Sequence, residues 1–412
     1  MNGYLSLSFA RLGFLLLLPF AAVGQTLSEQ EILLLGLQHP NFDQLLKSRR
    51  DEADAELILE RTWSNPEFSI SHQEIDGETE VDIWLKQTFD FSGRRQYAIA
   101  VAQTHLSVID LENKALQIER LAQVRGLFYQ LLYLQRKSEL FSQWVNKFTD
   151  VEATMAVREA AGDVSGYDRM RMSRERVELD IQREQYQLEL ETIREKLHGF
   201  IATDRSLDFN SVTGTLLPSA QPALEKVLSA HNQHPILLSL QKTNEAKTAR
   251  IRATARGHIP LITFAVGQKV IERSGQRDAE LMLSASVPLP LFDRKQGEHR
   301  SALAEANRAA SQYQLLLQRN VADIRALWIK AKRLTERARS YREHNVVDAE
   351  QLVDIVQAAY QSGEKSVVEL VDGYRMSLAA EQKALELAYE ARQVRLDLDL
   401  LSGMLRLQGE RS

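Results

Sequence analysis

The chain of 412 residues carries 51 Lys and Arg against 56 Asp and Glu, a formal net charge of −5, with 44% apolar and 26% charged residues. That apolar content excludes wholesale disorder, and the acidic balance without a basic run argues against a nucleic-acid partner. With no cysteine there is no disulfide, no thiolate metal site and no acylated cysteine of a lipoprotein, and only 19 Gly and 9 Pro predict long uninterrupted elements.

Residues 1–24 hold one basic residue, Arg11, followed by an apolar run from Leu12 to Val23. The small residues Ala22 and Gly24 fall at the −3 and −1 positions of a cleavage site, so this segment reads as a secretory signal. An N-terminal membrane anchor is the alternative, but the apolar core is short for a bilayer. The mature chain then starts near Gln25, beyond the inner membrane. Past this segment there is no apolar run of about 18 residues, which excludes a polytopic helical membrane protein.

The rest repeats itself. His39-Pro40 returns as His234-Pro235, Phe91-Ser92-Gly93-Arg94-Arg95 as Phe292-Asp293-Arg294-Lys295, and Gly162-Asp163-Val164-Ser165 as Gly363-Glu364-Lys365-Ser366. The landmarks keep their order at nearly constant shift, which points to a tandem duplication of about 200 residues. The expected units are 25–204, a linker and equatorial segment at 205–232, the second copy at 233–403, and a tail at 404–412.

Within each copy a helix, about 41–62 or 236–256, runs up to Pro66 or Pro260, where proline ends it. An alternating segment follows. Phe68 and Ile70 lead to Val81, Ile83, Leu85, Phe89 and Phe91, while Ile262, Phe264 and Val266 lead to Leu281, Leu283, Ala285, Val287, Leu289 and Leu291. Turn residues, Ile75-Asp76-Gly77-Glu78 and Arg273-Ser274-Gly275-Gln276, divide each segment into a hairpin whose strands are long enough to cross a bilayer at a tilt. Long proline-free helices are then predicted over 96–160 and 297–361. Phe141, Trp144, Phe148, Val151 and Met155, and likewise Ala349, Leu352, Val356 and Ala359, are spaced in steps of three and four, as in a coiled coil. Each copy turns at Gly162 or Gly363 and returns as a second helix, about 166–199 or 367–403.

Two hairpins supply four membrane strands, too few to close, since a barrel needs about eight or more. Open edges are not tolerated in lipid. Three copies would give a 12-stranded barrel and gather twelve long helices into a hollow tube. The fold class expected is therefore mainly α with a small membrane β part, a trimeric 12-stranded outer-membrane β-barrel continuing into a 12-helix coiled-coil periplasmic α-barrel.

With that pattern the chain resembles the TolC family of outer membrane factors over essentially its whole mature length. The most specific pieces are Val287-Pro288-Leu289-Pro290-Leu291-Phe292-Asp293 and the segment from Ala359 to Asp372. The compact length resembles the branch that serves heavy-metal efflux pumps of the cobalt, zinc, cadmium type. The resemblance implies a homotrimeric exit duct in the outer membrane lipid, docked to a periplasmic adaptor (a membrane fusion protein) and an inner-membrane pump of the resistance-nodulation-division type. It implies a gate in which Tyr360 pairs with Asp168, Lys365 supplies a basic link where arginine is common, and Glu369 and Asp372 ring a constriction. Gly162 and Gly363 then mark the adaptor-docking tip.

Plainer readings accompany each of these. Glu369 and Asp372 also suit a solvated helix face, the two glycines are also helix C-caps, and Trp84 is either a membrane-interface anchor or ordinary packing. His231-x-x-His234 shares a helix face but lacks an accompanying carboxylate, so no metal site and no cofactor is expected. No H-E-x-x-H, G-x-S-x-G, Walker A or G-x-G-x-x-G motif occurs, and an enzyme is not expected. The rival from another class is a periplasmic coiled-coil adaptor, which would carry one helical hairpin rather than two. Metal cations, organic toxicants and secreted polypeptides all remain open as cargo.

Overall fold

The computed structural model describes residues 27–75, 78–201, 209 and 211–405. The expected signal at 1–24 lies outside the described residues, as do Asp76 and Gly77 of the first strand turn and residues 406–412 of the tail.

The chain opens with β1 (Leu27–Ser28) and α1 (Glu29–Leu37), which starts in a reciprocal Ser28–Glu31 capping box. Then come α2 (Pro40–Arg61), β2 (Glu67–Ile75), β3 (Glu78–Phe89), α3 (Arg94–Ala161) and α4 (Gly166–Phe200). After β4 (Val212–Thr213) and α5 (Leu224–His231) the same series returns as α6 (Pro235–Ala255), β5 (Ile262–Arg273), β6 (Gln276–Ser286), α7 (Gln296–Tyr341), α8 (Val347–Gln361) and α9 (Val367–Ser402). The two halves share their punctuation. His39 and His234 each cap a helix whose first residue is proline, with ring Nδ1 accepting from Asn41 N–H at 3.2 Å and Ile236 N–H at 3.1 Å. Gly93 and Lys295 both start a long helix from a left-handed conformation, at φ +70° and +61°.

Among the described residues the hairpins form one antiparallel sheet in the order β2-β3-β5-β6. The β3–β5 ladder, from Thr79↔Glu272 to Phe89↔Ile262, sews the halves together. Register places Phe68, Leu85, Val266 and Leu283 in one row, and Ile70, Ile83, Gln268 and Leu281 in the next on the same face. Ser71, Asp82, Lys269 and Glu280 form a row on the opposite face. The apolar face meets nothing in the protomer: Phe68 is 67% and Leu283 78% exposed. Both outer strands, β2 and β6, keep a free edge among the described residues. β6 stops at Ser286 although the apolar alternation continues to Leu291, because Pro288 and Pro290 have no N–H to give a ladder.

The helices pack around three apolar clusters. The central one joins α1, α3 and α4 through Ile32, Phe128, Leu132, Ile193 and Leu197. A second runs towards the helical turns through Trp144, Phe148, Met155, Met172, Tyr360, Leu370 and Tyr374. A third sets α5 against α7 and α9 through Val227, Ile324 and Leu398.

Two features of the second half differ from expectation. The long helix predicted over 297–361 is interrupted by a π-helical turn at Arg342–Val346, one extra residue in a turn that no proline marks. On α8 the buried stripe is Ala349, Val353 and Tyr360, not the expected run through Leu352, which is 48% exposed. Of the expected run Ala349 and Val356 do pack towards α9, while Leu352, like Ile355 beside it, lies exposed in the protomer.

Candidate functional site

The far end of the helical hairpins is built by two matching turns. Gly162 and Gly363 sit at φ +87° and +81°, and a Cβ added at either would meet no atom within 4 Å, so backbone conformation rather than crowding requires glycine. The turns close alike: Asp163 N–H donates to Arg158 C=O at 2.9 Å, and Glu364 N–H to Ala359 C=O at 2.9 Å.

Each returning helix is then capped by serine. Ser165 Oγ accepts from Asp168 N–H at 3.1 Å and donates to the Asp168 carboxylate at 2.7 Å. Ser366 Oγ stands in the same relation to Glu369, whose Oε2 also accepts from Ser366 N–H at 2.9 Å. Asp168 and Glu369 therefore occupy equivalent capping positions in the two halves. Lys365 Nζ lies 2.6 Å from Glu369 Oε1. This charged hydrogen bond, foremost, with the two from Ser366, holds the Glu369 carboxyl at about 2. Asp372, one turn further along α9, is exposed and has no hydrogen-bond or ion-pair partner among the described residues.

Tyr360 is buried, and its hydroxyl finds no partner in the protomer. The Arg158 guanidinium lies 5.6 Å from the ring centroid while donating to Gln361 C=O at 3.4 Å. Asp168 is engaged by Ser165, and no hydrogen bond joins it to Tyr360 among the described residues. Ion pairs Arg169–Glu159, Arg176–Glu152 (2.8 Å) and Arg375–Glu175 (2.6 Å) brace the hairpins, the last one tying the first half to the second.

At the other end, Trp84 is on the opposite face from the apolar rows, in register with Ser69, Gly267 and Met282. Its ring lies over Gly267, where a Cβ would come within 2.6 Å of the indole. Trp84 is thus packing, and the interface-anchor reading is corrected: a period of two puts it on the polar face, one residue away from the exposed apolar side. The aromatic belt lies instead at the helix end of the apolar face. Phe89 contacts Trp63 (6.1 Å), Phe91 (6.1 Å) and Phe264 (6.0 Å) between ring centroids. Trp63 is not legible in sequence as part of it, since it falls between α2 and β2 where no alternation extends.

The polar face carries Glu80, Asp82, Asp278 and Glu280 around Lys269, which pairs with Glu80 at 2.6 Å. His231 and His234 do not form a ligand pair. His234 Nδ1 is used as a cap, His231 Nδ1 is hydrogen-bonded to Leu401 C=O at 2.9 Å, and burial pushes both imidazoles below their ordinary value. No cluster of three or more His, Asp or Glu suited to a metal occurs among the described residues.

Residues 228–404 match the family described as outer membrane efflux protein. The cobalt-zinc-cadmium resistance protein CzcC of Cupriavidus metallidurans is 20% identical over 391 residues, covering 93% of this chain and 92% of that one. The fold is shared with solved structures. The outer membrane protein VceC of Vibrio cholerae aligns at a TM-score of 0.74 with 15% identity over 91% of this chain and 96% of that one. The outer membrane channel CmeC of Campylobacter jejuni aligns at 0.75 with 13% identity, over 93% and 87% respectively.

Proposed function

We propose that the chain is an outer membrane efflux protein, three copies of which close one passive exit duct, a 12-stranded barrel in the outer membrane continued by a 12-helix tube in the periplasm. The observation that carries it is the four-stranded sheet with one mainly apolar, exposed face and two edges unpaired among the described residues. Such a sheet is unstable in lipid until β6 of one copy pairs with β2 of the next. The exposed Leu352–Ile355 stripe of α8 supports the same assembly in the helical part.

The tube conducts what an inner-membrane pump of the resistance-nodulation-division type and a periplasmic adaptor deliver, with the adaptor seated on the turns at Gly162 and Gly363. The cargo is heavy-metal cations, a reading supported by the Cupriavidus metallidurans relative, which is named a cobalt-zinc-cadmium resistance protein. The acidic polar face of the sheet suits cations in transit. The constriction is set by Asp372. Glu369, which the family resemblance assigns to the same ring, is neutralised by Lys365 and used as a helix cap, so a trimer presents three free carboxylates at the mouth rather than six. Tyr360 and Asp168 hold the closed state, as the family resemblance assigns them.

The test is single-channel recording of the purified protein in planar bilayers. Wild type is expected to show a small cation-selective conductance that divalent cations block. Asp372→Asn should abolish the block, and Tyr360→Phe with Asp168→Ala should raise conductance. A trimer whose selectivity and block are untouched by Asp372→Asn would overturn the constriction, and a protein recovered only from the soluble periplasm would overturn the duct.

A further inference from the structure

The helix end of the apolar sheet face combines an open groove, an aromatic belt and an uncompensated cation. The groove, about 660 Å³, is lined by Pro66, Leu85, Phe264, Val266 and Leu283. From Phe264 the belt passes through Phe89 to Trp63, which is 58% exposed. The Arg95 guanidinium stacks on Trp63 at 4.3 Å from the ring centroid. Its Nε donates to Glu60 C=O at 3.2 Å and its Nη2 to Arg61 C=O, so the last carbonyls of α2 hold the fork rigidly. No carboxylate pairs with it among the described residues, and Nη1 is free. Arg94 next to it is different, paired with Asp90 at 3.2 Å. The Glu60 side chain, exposed and unpaired, lines the same recess as Arg95.

We infer that this corner is a binding site for a zwitterionic, amine-bearing phospholipid of the periplasmic leaflet, with an acyl chain along the Leu85–Val266–Leu283 row, the phosphate on Arg95 and the ammonium towards Glu60. The proposal rests on the sheet facing lipid, as the duct reading requires. The chemistry is specific. A pre-positioned guanidinium edge matches a phosphate, the indole beside it suits the depth where headgroup meets chain, and a neighbouring carboxylate disfavours a purely anionic head while welcoming a primary amine. The apolar row is continuous with the headgroup corner, so one lipid spans both.

Native mass spectrometry of the detergent-purified full-length trimer tests this, with dioleoylphosphatidylethanolamine or dioleoylphosphatidylglycerol added at equal concentration. Wild type should retain the ethanolamine lipid, one per protomer, in preference to the glycerol lipid. Arg95→Gln and Trp63→Ala should lose the bound lipid while remaining trimeric on an unboiled gel. Glu60→Gln, on an exposed helix face, should bind both lipids equally. Unchanged retention by Arg95→Gln, a wild-type preference for the glycerol lipid, or trimers that fall apart in Trp63→Ala with lipid retention intact would overturn the site, the last by showing that a neighbouring copy covers it. A wild type that is not trimeric would instead count against the duct itself.

Discussion

Glu369 illustrates how one residue type supports two readings that only contacts separate. As an acid near a helical turn it resembles a pore-lining charge, yet in the fold it is the third residue of a capping box and the partner of Lys365. Its carboxyl sits at about 2 against an ordinary 4.5. A depressed carboxylate contributes stability fully above its unfolded value and loses it as pH falls through the folded one. Protection of the first-turn amides of α9 from hydrogen exchange is therefore expected to decline between about pH 4.5 and 2. Glu369→Gln, which can still cap, should show no such titration. Lys365→Ala should return the carboxyl towards its ordinary range and add negative charge to the mouth, raising cation selectivity in reversal-potential measurements. A Lys365→Ala channel with wild-type selectivity would show that Glu369 does not face the conducting path.

The turns are legible as elements because their chemistry is local. Glycine followed three residues later by serine marks a left-handed C-cap and then an N-cap, and both copies repeat it. Gly363→Ala should cost about 1 kcal/mol, since the alanine meets no neighbour and the penalty is the positive φ alone. Chemical denaturation monitored by circular dichroism, with Gly297→Ala as a control inside the first turn of α7, reads the difference. The π-turn at Arg342–Val346 is not legible, because a single extra residue leaves hydropathy spacing ambiguous between two stripes. Deleting Asn345 removes the extra residue and should restore regular α geometry while the rest of α8 keeps its phase, with Tyr360 still in its cluster. Limited proteolysis of the α8–α9 hairpin is therefore expected to match wild type, whereas deleting Asp354, within the regular part of α8, should turn Tyr360 by about 100° and accelerate cleavage.

At the scale of the whole molecule the proposed assembly follows from what the protomer leaves unmet. Four strands with free edges among the described residues and an apolar face call for further strands, and in the proposed duct the repeated helices form the tube below them. The native chain has no cysteine, so cysteines placed on β2 and on β6 are the only thiols available, and single-cysteine controls separate β2–β6 pairing from like-with-like pairing. Opposed pairs, scanned from Ser69 on β2 against Ser284 and its neighbours on β6, should give oxidised trimers that survive boiling and no larger ladder. A ladder extending past the trimer would mean open-ended pairing, and no cross-link in any register would count against closure between copies.

The duplication, the alternation of each membrane-length hairpin, the long helices and the positions at which they stop are all written in the order of the residues. Apart from the duplication, each is a property of near neighbours along the chain: a period of two or of three and a half, a proline, a glycine. Folding in three dimensions was needed to pair β3 with β5, to seat Trp84 over Gly267, and to bury Val353 and Tyr360 of α8 rather than Leu352. Trp63 joins the aromatic cluster at the end of the apolar face for the same reason, through contacts with Phe89 and Arg95 that are 26 and 32 positions away. Periodicity states that a residue has two sides; which side is covered depends on partners far along the chain, and those exist only once it has folded.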